Sequence, residues 1–234
     1  MASEASASTA ALAGEGLVEA RRLHWRERAG DATLRRDGRR WTVWTAGVVL
    51  AFGAPAVLVV ALDVWLFPVA LILAAHAWLI CRLQAGRGAR AVVPLGSRTA
   101  RGDAAADAGA ERAALGLLGD LLGHRERALM QRTGLAMQTG RLGIWLVGER
   151  GALLLRPGGR RLFSFCVRVG ESDDLPGGDH VAHLLLALRE DEEGFATVAN
   201  LGFSGAVWRC RRRIGARQRP ALDAARAAAR DPRS

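Results

Sequence analysis

The sequence predicts a membrane α-helical hairpin followed by a small cytosolic α/β (α+β) domain, in the order helix, three strands, helix, strand. Three observations carry that prediction. Half of the 234 residues are hydrophobic while 24% are charged, and the two kinds are segregated, because residues 41–81 hold a single formal charge, Asp63. Short apolar runs between 143 and 169 are divided by Gly-containing turns, as strands of a meander are. Apolar residues recur at helical spacing before and after those runs. A wholly soluble globule, a disordered chain and a disulfide scaffold are all excluded.

Residues 1–40 read as a disordered and juxtamembrane N-terminus. The first 16 are dominated by Ala, Ser, Gly and Glu, and 17–29 (LVEARRLHWRERA) suit a short amphipathic helix on the inner leaflet, with Leu17, Leu23 and Trp25 as apolar contacts. Glu4, Glu15 and Glu19, with no apolar centre, argue against a cleavable signal peptide.

The run from Trp41 to Cys81 is about twice the ~20 residues that cross a bilayer as a helix, so it folds back on itself. Asp63 lies at its midpoint. Helix one is expected over Trp41–Val60, a tight turn around Asp63, and helix two over Val64–Cys81. Arg26, Arg28, Arg35, Arg36, Arg39 and Arg40 precede the run and Arg82, Arg87 and Arg90 follow it, whereas the turn carries no positive residue. Cytoplasmic loops hold the excess of basic residues, which places both termini in the cytoplasm of a multi-pass cell (plasma or inner) membrane protein. Trp41, Trp44, Trp65 and Trp78 stand where interfacial aromatics belong. Asp63 and His76 are the ionisable groups within the run, and both have structural readings, at a turn and near the inner edge.

Residues 82–107, rich in Gly, Ala and Arg, read as a flexible linker. The domain, 108–215, opens with AERAALGLLGDLLGHRERALM, where Leu115, Leu118, Leu122 and Leu129 form one core-facing stripe of a single helix. Gly143–Val147, Ala152–Leu155 and Leu162–Val169 are the three strands. Asp179 is expected to cap a helix reaching Arg189, with Val181, Leu184, Leu185 and Leu188 on one face, although alternation of Ala182, Leu184, Leu186 and Leu188 also fits a strand. Phe195–Phe203 reads as the last strand, and 216–234 as a basic, Ala-rich tail.

All 33 basic residues are Arg, which reflects codon bias and discounts the net charge of +10 as a nucleic-acid signal. Position still matters. Arg209, Arg211, Arg212, Arg213, Arg217 and Arg219, beside Trp208, form the densest basic stretch, which reads as a contact for anionic lipid headgroups at about 1 kcal/mol each, as a contact for nucleic acid, or as a solvated edge strand and tail. His180 and His183 share a helix face near Asp173, Asp174 and Asp179, but a third ligand at a recognisable spacing is missing; no metal or cofactor is expected. The acidic run Glu190–Glu193 reads as an exposed turn. Cys81, Cys166 and Cys210 are too far apart for a metal spacing and read as reduced packing residues.

The segment LGIWLVGERGALLL, residues 142–155, behind a membrane hairpin and after the helical GAERAALGLL, resembles the nuclease-related (NERD) domain of bacterial membrane proteins, a restriction-endonuclease-like fold, over about residues 108–206. That resemblance implies a metal-dependent nuclease, yet the metal-binding Asp of the family falls at Gly143, its His at Ile144, and its later acid and Lys at Arg156 and Gly158. Phosphodiester hydrolysis needs carboxylates to hold the ion and a group to activate water. The expected function is therefore binding or scaffolding by a hairpin-anchored domain that meets a protein partner, lipid headgroups or itself. A membrane-tethered nuclease-like hydrolase is the first alternative and a pore-forming oligomer the second.

Overall fold

The computed structural model describes residues 28–92, 104–167 and 176–231. Helix α1 spans Asp31–Leu62 and stops where Asp63 turns extended and its carboxylate accepts the Trp65 N–H at 2.9 Å. A single 3-10 turn, Val64–Leu66, leads into helix α2, Phe67–Val92. Both helices are long and apolar enough to cross a membrane, and only 11% and 6% of their most apolar windows are buried. Their apolar surface faces outward, unlike that of a core helix. Trp65, at the turn, is 85% exposed.

The helices do not stop at the ends of the apolar run. Residues 31–40 are the first turns of α1, and 82–92, expected to be a flexible linker, are the last turns of α2. The reason lies in small residues at helical spacing: Ala85, Gly88, Ala89 and Val92 make one face that a sheet can cover, and all are buried. The described part of the rest of that linker, from Ala104, is also helical. The amphipathic segment 17–27 lies outside the described residues.

Five antiparallel strands follow in meander order: β1 (Ala136–Thr139), β2 (Ile144–Gly148), β3 (Gly151–Leu155), β4 (Arg161–Cys166) and β5 (Asn200–Ala206). The register aligns Trp145 with Leu154 and Phe163, and, one residue over, Ile144 with Leu155 and Leu162. Alternate residues therefore feed two cores. Trp145, Val147, Leu154, Phe163 and Phe165 belong to one; Ile144, Leu146, Leu153, Leu155, Leu162 and Phe203 belong to the other. Burial on both faces explains why these strands read as unbroken apolar runs rather than as alternation. Of the five strands observed against four expected, β1 is new and β5 is the last strand shifted.

On the first face lie helix α5 (Gly177–Glu190), which contributes Val181, Leu184, Leu185 and Leu188, the short helix α6 (Glu192–Val198), and helix α3 (Ala104–Asp120). Helix, not strand, is thus the conformation of 180–190. The second face is covered by the end of α2, by helix α7 (Val207–Arg211) and by helix α8 (Arg219–Ala228). The supposed tail is part of the domain: Ala221, Leu222 and Ala225 are fully buried there.

The helix expected through Met130 is broken into α3 and α4 (His124–Thr133), with Gly123 as the N-cap of α4. Leu118 and Leu122 serve the first core and Leu129 the second, two sides of a sheet that one straight helix cannot reach. Leu115, expected in the stripe, is 40% exposed. Phe195–Phe203 also departs from expectation, since its first half is α6. Asp191 caps that helix by accepting the Gly194 N–H at 2.8 Å, and the strand begins only at Asn200.

Hairpin and sheet meet along β5. Ala29 and Leu34, at the start of α1, enter the first core, whereas Ala85 and Val92, at the end of α2, enter the second. The two helices straddle the last strand, one on each face. An edge strand left bare offers unpaired backbone groups to other chains. Here the anchor covers that region, and α4 lies beside β1 at the opposite edge.

Candidate functional site

The junction between α1 and the β4–β5 edge gathers the polar chemistry. Arg161, first residue of β4, reaches across it and donates to the Gly38 carbonyl oxygen, to Thr42 Oγ1 and, at 3.5 Å, to Ser204 Oγ. Gly38 permits this because a Cβ there would collide with the guanidinium. Burial pushes the Arg161 pKa below its ordinary value, but a guanidinium stays charged. Among the described residues, no carboxylate pairs with it. One turn away, Trp41 packs against Phe203 with ring centroids 6.0 Å apart, so this tryptophan, expected at the membrane boundary, belongs to the domain contact.

Beside these groups runs a cavity of about 540 Å³. Arg161, Arg209, Ser204 and Thr42 line one end, and Ala46, Val49 and Leu50 of α1 line the other. The polar end is at the sheet and the apolar end climbs the apolar part of α1, with Val49 and Leu50 49% and 66% exposed. A second hollow, of about 600 Å³, follows the opposite flank of α1 past Arg35, Arg36, Arg39 and Arg40 to Trp44.

The six arginines of the basic stretch are not brought together. Arg209 lines the cavity and lies 5.4 Å from the ring centroid of the half-exposed Trp208, with Arg212 over the same ring at 5.1 Å. Arg211 is engaged elsewhere: it holds Asp223 in a two-pronged pair, both contacts 2.9 Å. That pair lowers the Asp223 pKa and raises that of Arg211. Arg217 donates to the carbonyl oxygens of Arg132 at 2.9 Å and Gln131 at 3.3 Å, pinning the 3-10 turn before α8 to α4. Arg213 is half-buried and Arg219 exposed.

Other candidates have structural partners. Asp63 caps the hairpin turn, and His76 makes a 2.7 Å hydrogen bond to the Ile72 carbonyl oxygen while stacking on Phe52. His180 and His183 sit on the first turns of α5, and Asp173 and Asp174 lie outside the described residues. Glu192, expected in an exposed acidic turn, is instead 9% exposed, and its carboxylate accepts the backbone N–H groups of Arg141 (2.7 Å) and Leu142 (3.0 Å) and the indole N–H of Trp145. Among the described residues no three His, Cys, Asp or Glu side chains are grouped to hold a metal ion.

The four positions of the nuclease resemblance do structural work here. Gly143 has φ +146°, and a Cβ on it would strike the Leu155 carbonyl oxygen. Ile144 is buried in the second core. Arg156 donates to the Leu142 carbonyl oxygen at 2.9 Å and pairs with Asp31 at 2.6 Å, a second tie between α1 and the sheet, and Gly158 turns the β3–β4 loop with φ +87°.

Sequence reasoning missed Arg156, Arg161 and Ser164. Arg156 and Ser164 are single polar residues at the end of or within an apolar strand, which is the signal that pointed to them, whereas Arg161 is the second of the Arg160–Arg161 pair at a strand start. In comparisons with known proteins, the chain matches no family model, no curated protein and no solved structure.

Proposed function

We propose that the chain is an integral membrane protein whose two-helix hairpin holds the α/β domain against the cytoplasmic face, both termini cytoplasmic, and that the domain is a binding platform rather than an enzyme. One observation carries this reading: α1 and α2 pass without a break from their apolar stretches into the two cores of the domain. A catalytic domain on a flexible tether needs no such union, whereas a platform presented at a fixed height gains from it. The basic residues flanking the apolar run support the orientation, because they lie at its domain end and none lies at the turn.

The test is made on the full chain. A reporter fused after Ser234 is expected to be active in the cytoplasm, and an extracytoplasmic reporter overturns the orientation. Purified in detergent and incubated with duplex and single-stranded DNA plus Mg²⁺ or Mn²⁺, the protein is expected to leave both intact. Cleavage that stops with a chelator would replace the platform with a hydrolase.

A further inference from the structure

We infer that the cleft between α1 and the β4–β5 edge binds one anionic phospholipid, its phosphate between Arg161 and Arg209 and an acyl chain along Val49 and Leu50. The inference rests on the reading of α1 as a membrane helix and names the ligand class that its domain-side boundary takes.

Polarity within the cleft is ordered along one axis. From Thr42 to Leu50 the helix rises about 12 Å, and over that distance the lining changes from guanidinium and hydroxyl groups to bare aliphatic side chains. A phospholipid has the same order and, in a bilayer, the same direction, with its phosphate at the depth where Trp41 and Thr42 leave the apolar stretch. The cavity, about 540 Å³, falls within the size of ordinary ligand pockets, roughly 300–1,000 Å³.

Charge selects the headgroup. Among the described residues, neither Arg161 nor Arg209 has a carboxylate partner, and the groups that do meet Arg161 are neutral oxygens. A half-buried cation without a counter-charge is an unfavourable arrangement that an anion in the cleft relieves. The two free oxygens of a phosphodiester match the guanidinium fork, and Ser204 supplies a hydroxyl beside it. A zwitterionic lipid brings its own cation to the same place and gains less. A soluble phosphate or a nucleic-acid strand satisfies the arginines but leaves Val49 and Leu50 uncovered.

The experiment uses the full chain reconstituted in vesicles of mixed phosphatidylglycerol and phosphatidylcholine, washed at alkaline pH, extracted in mild detergent and weighed by native mass spectrometry. One phosphatidylglycerol per chain is expected to be retained in preference to phosphatidylcholine. Arg209→Gln should lower that occupancy roughly tenfold, the weight of one charge-assisted contact. Leu50→Trp should also lower it by filling the apolar end, and an excess of sn-glycerol phosphate should not displace the lipid. Arg161→Gln is less informative because it also cuts the junction, so Arg209 and Leu50 decide the matter. Equal retention of the two lipids, indifference to both variants, or displacement by glycerol phosphate overturns the lipid site. Release of the chain by the alkaline wash overturns the membrane reading beneath it, a separate and visible failure.

Discussion

Ser164, in the middle of β4, donates its hydroxyl proton to the carbonyl oxygen of Gly88 at 3.0 Å, tying a fully buried strand position to a helix that begins in the apolar hairpin. The serine is flanked by Phe163 and Phe165, and its cross-strand partners are Leu153 and Phe203. An apolar residue would suit a sheet core better. The hydroxyl is there because α2 lies close enough to present its backbone, and it is close because position 88 has no side chain.

Gly88 is therefore sensitive to added bulk. A Cβ there would lie 2.9 Å from the Phe203 ring, so Gly88→Leu should cost about 1–3 kcal/mol by overpacking and should speed hydrogen exchange in the last turns of α2. Gly86, two residues earlier, has open space around its Cα. Gly86→Ala should raise stability by about 0.4–1 kcal/mol in the same thermal melt.

Glu192 holds three N–H donors of the β1–β2 turn and Trp145 in place. Glu192→Ala strands those donors in a buried site and should cost about 3 kcal/mol, read as a lower melting temperature with loss of the near-UV signal of Trp145. Glu192→Gln keeps one acceptor oxygen and should lose less.

Burial pushes the Cys210 thiol up to about 12, and it also raises that of Cys166 despite the opposing pull of Arg150. The thiolate is the reactive form. At pH 8 an alkylating reagent should leave Cys210 unmodified in the folded protein and label it fully in denaturant, as peptide mass mapping will show.

The Asp223 carboxyl is held below its usual value of 3.8 first by its hydrogen bonds to Arg211. A carboxylate with a depressed folded-state pKa contributes stability above its unfolded value, and that contribution disappears as pH falls through the folded value. Asp223→Asn should therefore be less stable than the parent at pH 5 and above, with the gap closing on acidification below about pH 4. The pair is solvent-exposed, so the gap is small. Melting curves across that range check the sign.

Asp63 was legible as a turn because a lone acid at the midpoint of a 41-residue apolar run has no other favourable place. The three central strands were legible because two-sided burial makes them almost wholly apolar, Ser164 and the leading Arg161 of β4 aside. What escaped notice was recognition by small residues. Ala85, Gly88, Ala89 and Val92 carry little hydrophobicity, and the arginines between them face solvent, so the stretch resembles a linker. β1 escaped because AMQT shows neither alternation nor an apolar run; pairing with β2 makes it a strand. The first half of FATVANLGF has strand composition, but the Asp191 cap and the buried Glu192 draw it into a helix, a tertiary override of local preference. At the candidate site, Arg209 was visible within a basic stretch. Arg161 was hidden, because its partner Gly38 lies 123 residues away in a helix.

The straddling of β5 by α1 and α2 also has a mechanical meaning. A 32-residue helix measures about 48 Å against a hydrocarbon thickness of about 30 Å, so on the proposed membrane reading roughly a third of α1 stands clear of the bilayer as a strut. Struts that enter both cores leave the domain no swivel of its own. In a bilayer, whatever lean the lipid thickness imposes on the hairpin passes to the sheet at the same angle. On the proposed membrane reading, the direction in which the outer helices α3 and α5 face is then set by the bilayer.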